Sequence, residues 1–225
     1  MANWHGPRSR SPRGIRRMAR TVALAATFTT SLVSAAHADP VKPPPVPQGI
    51  EVDAGNTAFF EGHGIGTQNY MCLPCPNPTT PAAQCPDASG FAWLLFTPEA
   101  VLFEDNGRQA TTHFFSPNPH EAGAVRATWQ HSRDTSTVWG RVLKSSTDAP
   151  FVAQDAIPWL KVLVTGADEG PTGGRALAET TFIQRLNTSG GVAPETGCSG
   201  LADVGAKAFV PYTADYLFYQ RDHGN

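Results

Sequence analysis

Short runs of apolar and β-branched residues alternate with clusters of glycine, proline, asparagine and aspartate from about residue 57 onward. Runs of this kind, bounded by turn-forming residues, are typical of β-strands. The pattern predicts eleven short strands and almost no helix, which favours a single-domain β-sandwich or barrel of antiparallel strands. The predicted strands cover residues 57–62, 66–72, 91–96, 100–104, 109–115, 125–131, 136–144, 159–165, 178–187, 207–211 and 214–220.

Two segments give specific predictions that a structure can test. The tripeptide Asp105-Asn106-Gly107 is typical of a tight turn and predicts a hairpin between the strands that flank it. Residues 175–186 also fit an amphipathic helix, whereas the β-branched residues at 180–183 favour a strand. We predict the strand.

The first 38 residues are typical of a secretory signal peptide. A segment with six arginines and no acidic residue precedes an apolar run from Thr21 to Val33, and Ala36-His37-Ala38 is a small-x-small cleavage site. The alternative is a buried N-terminal helix. Cleavage would leave a proline-rich leader at residues 39–48, expected to be an extended spacer, and one all-β domain at residues 49–225. The sequence therefore predicts a secreted, extracellular protein.

Composition and charge limit the classes of molecule that the protein is expected to bind. The 225 residues are 40% hydrophobic and 16% charged, which is ordinary for a globular protein, and no apolar run is long enough to span a bilayer. Because six arginines precede the cleavage site, the remaining chain has more acidic than basic side chains. An acidic surface argues against a nucleic-acid partner and leaves a small ligand, a glycan or a protein.

Four cysteines lie beyond the cleavage site: Cys72, Cys75, Cys85 and Cys198. An even number in an exported chain predicts two disulfides, with three pairings open. Cys72 and Cys75 have the spacing of a redox motif, but the prolines that follow exclude the helix that such a motif needs. A zinc site would need a second closely spaced pair, which Cys85 and Cys198 do not form.

Several motifs carry a family resemblance. Residues 64–72 read Gly-Ile-Gly-Thr-Gln-Asn-Tyr-Met-Cys, residues 190–198 contain Gly-Gly-Val-Ala-Pro and Gly-Cys, and residues 210–216 read Val-Pro-Tyr-Thr-Ala-Asp-Tyr. Together they resemble the domain of unknown function 3455 family, secreted proteins of bacteria and fungi, over about residues 46–220. The family's name states that no function is established, so the resemblance implies no activity.

The resemblance bears on two further points. Some fungal members carry a malate dehydrogenase label, but residues 62–67 have Thr67 in place of the last glycine of a dinucleotide-binding turn and run into a predicted strand. We therefore reject a dinucleotide-dependent dehydrogenase and predict no cofactor. Cys72 and Cys198 lie in family motifs, whereas Cys75 and Cys85 bracket an apparent insert, so the resemblance implies the pairs Cys72–Cys198 and Cys75–Cys85.

No common enzyme motif is present, and the aromatic residues point to binding. Trp139 and Trp159 adjoin apolar runs and are predicted to be core. Trp129 lies in a stretch, residues 128–136, that is polar at nearly every position and suits a sugar or amphipathic ligand, or else forms a solvated loop. We predict a ligand- or partner-binding domain whose candidate residues are His113, Trp129, His131, Asp134, Tyr212 and Tyr216.

Two rival hypotheses stay open. The first is a secreted hydrolase or metal-dependent enzyme that uses His113 or His131 with Asp134, which requires these groups to converge at a concave site. Their irregular spacing fits no metal-ligand pattern, so we predict no metal. The second is a structural envelope or cell-wall protein, with buried aromatics and no pocket.

Polar residues also occur inside strand-like motifs near the C-terminus. Gln184, Arg185, Asn187 and Asp215 are expected to form a hydrogen-bonded structural network in which Arg185 pairs with Asp215. Asn187 also begins an Asn-Thr-Ser glycosylation sequon, which matters only in a eukaryotic source.

Overall fold

Eight antiparallel strands pair in chain order, and the first closes on the last to form an up-and-down β-barrel. The computed structural model describes residues 41–76, 85 and 90–222. The predicted all-β class is confirmed, and the architecture is a barrel and not a sandwich. The strands are β1 (Asn56–Pro74), β2 (Phe91–Phe103), β3 (Gln109–Asn118), β4 (Ala124–His131), β5 (Thr137–Ser146), β6 (Trp159–Asp168), β7 (Thr180–Gly190) and β8 (Lys207–Arg221).

Three pairs of predicted strands are single long strands, so the barrel has eight strands and not eleven. β1, β2 and β8 each run through the glycine or proline residues that suggested a break. A Cβ at Gly66 would lie 2.0 Å from the carbonyl oxygen of Glu99 on β2. Glycine is required there by the close approach of two strands and not by a turn.

The hairpin between β2 and β3 is confirmed. The Glu104 amide donates to the Arg108 carbonyl at 2.9 Å, and Gly107 adopts a positive φ of 77°. The strand predicted within residues 175–186 is also confirmed, although β7 begins at Thr180 after a turn.

Alternation along the strands produces two separate cores. Inside the barrel, Leu102, Trp129, Val138 and Phe218 belong to one buried cluster. Outside it, a second cluster that includes Trp159 lies on the wall. Both Trp139 and Trp159 are buried, as predicted.

The segment before β1 covers the outer core. Residues 41–47 have no regular secondary structure, but Val41 and Val46 pack against the outer cluster. The described part of the proline-rich leader therefore acts as a cover for the wall and not as a free spacer. The predicted signal peptide, residues 1–38, lies outside the described residues. Within the described ranges, no helix is long and apolar enough to cross a membrane.

The two ends of the barrel differ. At the end where β2, β4, β6 and β8 finish, Leu102, Trp129, Val138 and Phe218 pack with Leu177 and fill the interior. At the opposite end the interior contains a cavity. We call these the closed end and the open end.

Both disulfides have the pairing that the family resemblance implied. Cys72 at the end of β1 is bonded to Cys198 in the β7–β8 connection, 126 residues away, and Cys75 is bonded to Cys85, 10 residues away. No described cysteine is free. The bonds rule out the redox and zinc alternatives for these residues in this state and are consistent with an oxidising compartment.

The long-range disulfide is expected to contribute more stability than the short one. Loop-closure entropy gives upper values of about 5 kcal/mol for Cys72–Cys198 and about 3 kcal/mol for Cys75–Cys85. Urea unfolding of the two double cysteine-to-serine variants, followed by tryptophan fluorescence, measures both losses. An equal or reversed order of the two losses would contradict this assignment.

Candidate functional site

The open end of the barrel contains a cavity of about 240 Å³. Its wall is mainly apolar and includes Phe115, Ala127, Val142, Leu160 and Ile183. Pockets for drug-sized molecules have volumes of roughly 300–1,000 Å³. The cavity therefore suits a molecule smaller than most drugs.

His113 lies on the cavity wall as a neutral hydrogen-bonding group. Its ring stacks on Trp129, with 4.3 Å between ring centres, and its Nδ1–H donates to the Thr128 carbonyl at 2.9 Å. Burial lowers the pKa of His113 to about 3. Because Nδ1 carries the proton, Nε2 is an acceptor.

Three buried tyrosines keep their phenolic protons. The hydroxyls of Tyr212 and Tyr216 lie 2.9 Å apart, and the Tyr70 hydroxyl donates to the Gly191 carbonyl at 2.7 Å. Burial raises the pKa of all three above the ordinary value for tyrosine. Tyr70 and Tyr216 line the cavity, and Tyr212 contacts Tyr216.

Arg185 is the only charged side chain among the described residues that line the cavity. It lies on β7, and its Nη2 and Nε donate to the Pro158 carbonyl at 2.8 and 3.3 Å. That carbonyl is neutral, and no ion pair with a described carboxylate balances the guanidinium. The site therefore holds a partly buried positive charge that has no counter-charge.

One further donor on the cavity wall has no acceptor. Trp129 Nε1 is buried and makes no hydrogen bond with any described residue, whereas the Gln68 side chain interacts with the Tyr212 hydroxyl. Buried donors normally have partners, so each exception calls for an explanation. Together with Arg185, these side chains bring several N–H donors to the cavity wall.

The expected Arg185–Asp215 pair is not formed. Arg185 faces the cavity, whereas Asp215 accepts from His63 and Asn187 on the outer wall. Successive residues of a strand point to opposite faces, so two polar residues on neighbouring strands need not meet.

The predicted structural network is likewise divided. The Gln184 amide donates to the Ile50 carbonyl at 2.7 Å, and its oxygen accepts from Tyr219. This pair of bonds fixes the segment before β1 to the outer wall. Gln184 therefore has no hydrogen bond in common with Arg185, Asn187 or Asp215 in the described structure.

Trp129 lines the cavity, as a candidate binding residue should, but it is not exposed as its polar sequence neighbours suggested. The polar stretch suggested an exposed ligand surface or a solvated loop, but only 2% of Trp129 is exposed. The residue lies on β4 and faces the barrel interior, and its neighbour Thr128 faces outward and bonds to Ser116. The polar sequence context did not predict exposure, because the polar residues beside Trp129 point to the opposite face of β4, where Thr128 is buried and Gln130 is partly buried.

His131 and Asp134 form a structural pair at the closed end. His131 Nδ1 lies 2.8 Å from Asp134, which also accepts from the Ser136 and Ala176 amides. Burial acts to raise the pKa of Asp134, but these hydrogen bonds and His131 lower it to about 2. His113 makes its hydrogen bond elsewhere, to Thr128, so the three groups of the enzyme hypothesis share no common partner.

A second polar cluster lies on the outer wall and was missed by the sequence analysis. His63 on β1 lies between two carboxylates, with Nδ1 2.7 Å from Asp215 and Nε2 2.8 Å from Asp105. These hydrogen bonds raise the pKa of His63. Glu61 lies beside it on the same strand. The one available signal was a histidine between Gly62 and Gly64, directly before the family motif at residues 64–72.

Comparison with known families agrees with the motifs. The chain belongs to the DUF3455 family of proteins of unknown function. The family model matches residues 53–220, which run from just before β1 to nearly the end of β8. The DUF3455 domain is therefore the barrel itself, including its cavity. Neither a curated protein nor a solved structure matches the chain.

The buried His113 is expected to make the protein acid-sensitive. Its folded pKa of about 3 lies below the ordinary value of 6.5, so the unfolded chain binds one more proton between these pH values. The free energy of unfolding therefore falls as the pH drops below about 6.5, by at most about 1.4 kcal/mol per pH unit from this group.

Urea unfolding of the wild type and of His113→Gln at several pH values tests this. Glutamine keeps a donor for the Thr128 carbonyl but does not titrate. The wild type should lose stability more steeply than the variant between pH 6.5 and 4.5, and the two should run parallel between pH 7 and 8. Parallel curves over the whole range would show that burial does not lower the pKa of His113 in the folded protein.

Proposed function

We propose that this DUF3455 protein is an exported binding protein that holds one small amphipathic molecule with an anionic group in the open end of its barrel. The observation that carries the proposal is the positive charge of Arg185, which has no carboxylate partner among the described residues in a mainly apolar cavity. An anionic ligand would supply that partner.

The apolar wall of the cavity indicates that the ligand has an apolar part. Side chains such as Phe115, Leu160 and Ile183 offer only carbon surface, and burial of such surface contributes about 25 cal/mol per Å². The hypothesis of a purely structural protein predicted no pocket. The cavity therefore favours binding over that hypothesis.

The donors on the cavity wall indicate that the ligand carries a hydrogen-bond acceptor at one end. Arg185, Gln68 and Trp129 all bring N–H donors to the cavity wall, and the indole N–H of Trp129 has no acceptor among the described residues. A carboxylate has two acceptor oxygens and can accept from an arginine in a bidentate manner. This chemistry suits a short-chain acid better than a neutral sugar.

The open end provides the entrance. Leu95 and Val142 line the cavity and are 40% and 50% exposed, so the cavity reaches solvent between β2 and β5 at this end. Export is supported by the two disulfides and by the signal-like residues 1–38.

Calorimetric titration with three eight-carbon probes tests the proposal. Octanoate, 1-octanol and octylamine share one chain and differ in the charge of the head group. Octanoate is expected to bind with one-to-one stoichiometry and roughly tenfold or more tighter than octanol, because hydrogen bonds between charged groups contribute about 1.5–3 kcal/mol. Octylamine is expected not to bind, because its ammonium would face Arg185.

Three variants locate the binding. Arg185→Gln should reduce octanoate affinity to that of octanol, and Ala127→Phe should abolish binding of both by filling the cavity. Arg141→Gln is the matched control, since Arg141 is exposed on β5 and does not line the cavity. Equal affinity for octanoate and octanol, or octanoate binding that survives Ala127→Phe, would overturn the proposal.

A further inference from the structure

We infer that the outer wall of the barrel carries a site for one divalent transition-metal ion, formed by Glu61, His63 and Asp215. The site faces away from the cavity, so it is independent of the proposed ligand binding.

The strand pairing brings the three side chains together. His63 on β1 lies directly opposite Asp215 on β8, and Glu61 lies two residues before His63, on the same face of β1. One ligand atom from each residue lies within 4.8 Å of the others. All three side chains are partly exposed, so an ion has access from solvent.

The neighbours of these residues have the arrangement found around metal ligands. A histidine that binds a metal through one ring nitrogen usually donates the other N–H to a carboxylate. His63 Nε2 lies 2.8 Å from Asp105, which leaves Nδ1 on the side of Asp215 and Glu61. The geometry therefore assigns Nδ1 as the ligand atom.

Asp215 is oriented in the same way. Asn187 Nδ2 donates to Asp215 Oδ2 at 2.7 Å, while Oδ1 faces His63. Asn187 has a positive φ of 50° and lies where the β7–β8 pairing shifts register, between Leu186 and Ser189. This irregularity in β7 places the amide where it holds the carboxylate.

The charge of the cluster also favours a cation. Asp105, Asp215 and Glu61 are three carboxylates around one imidazole, so the group keeps a net negative charge even when His63 is protonated. No hydrogen bond from a described residue reaches the Glu61 carboxylate, which lies within 4.8 Å of the ligand atoms of His63 and Asp215. An ion bound at Nδ1 would displace the proton shared with Asp215 into solvent and would give Glu61 a partner.

The ligand set selects the kind of metal. One imidazole nitrogen with two carboxylate oxygens suits Zn²⁺ or Mn²⁺, whereas Ca²⁺ and Mg²⁺ prefer oxygen ligands alone. Three protein ligands leave at least one coordination position for water.

Calorimetric titration of chelator-treated protein with Zn²⁺, Mn²⁺, Ca²⁺ and Mg²⁺ tests the inference. We expect one Zn²⁺ per chain at this site, with Ca²⁺ and Mg²⁺ at least tenfold weaker. His63→Gln and Glu61→Gln should each weaken Zn²⁺ binding at least tenfold. Glu61→Gln is the safer variant for folding, because that carboxylate has no described hydrogen bond to lose.

His120→Gln is the matched control. His120 is another half-exposed histidine, 2.7 Å from Asp168, but it belongs to no three-ligand group among the described residues. Its substitution should leave Zn²⁺ affinity unchanged. Absence of Zn²⁺ binding, or binding that is unchanged in both His63→Gln and Glu61→Gln, would overturn the inference. Octanoate binding should be unaffected by His63→Gln or Glu61→Gln. Failure of the metal site can therefore be told apart from failure of ligand binding in the cavity.

Discussion

The pairing of β1 with β8 is the constraint on which the rest of the structure depends. An eight-stranded barrel, once closed, has an interior about wide enough for side chains to fill or for one small ligand to occupy. At the closed end, Trp129 and Phe218 fill that width. At the open end, Ala127 and Leu160 do not, and the cavity is the space that remains.

The same closure separates the polar residues into two environments. Strand alternation turns Arg185 toward the cavity and Asp215 toward the outer wall, although both lie in the β7–β8 part of the barrel. An internal Arg–Asp pair would have neutralised both. Their separation leaves a positive charge inside, where we propose that a small anion binds, and a negative cluster outside, where we propose that a cation binds.

The sequence predicted the strands and the disulfides better than the sites. Periodicity identified all eight strands because each has a local pattern, but it broke β1, β2 and β8 at glycine and proline residues that bend a barrel strand without ending it. Whether Trp129 and Arg185 point into or out of the barrel depends on strand register and on closure of the barrel, and both are long-range properties. Glu61 and His63 meet Asp215 only through the β1–β8 pairing, and no local motif records that contact.

Octanoate binding in the cavity is tested most directly by NMR spectra of the backbone amide and indole N–H groups, recorded while octanoate is added to the protein. Trp129 and Trp159 both have a buried indole N–H without a described partner, but Trp129 lines the cavity and Trp159 lies in the outer core. If octanoate binds in the cavity, the Trp129 indole signal should shift until it saturates, and the Trp159 signal should not shift. An unchanged Trp129 signal at saturating octanoate, or equal shifts of both signals, would contradict it.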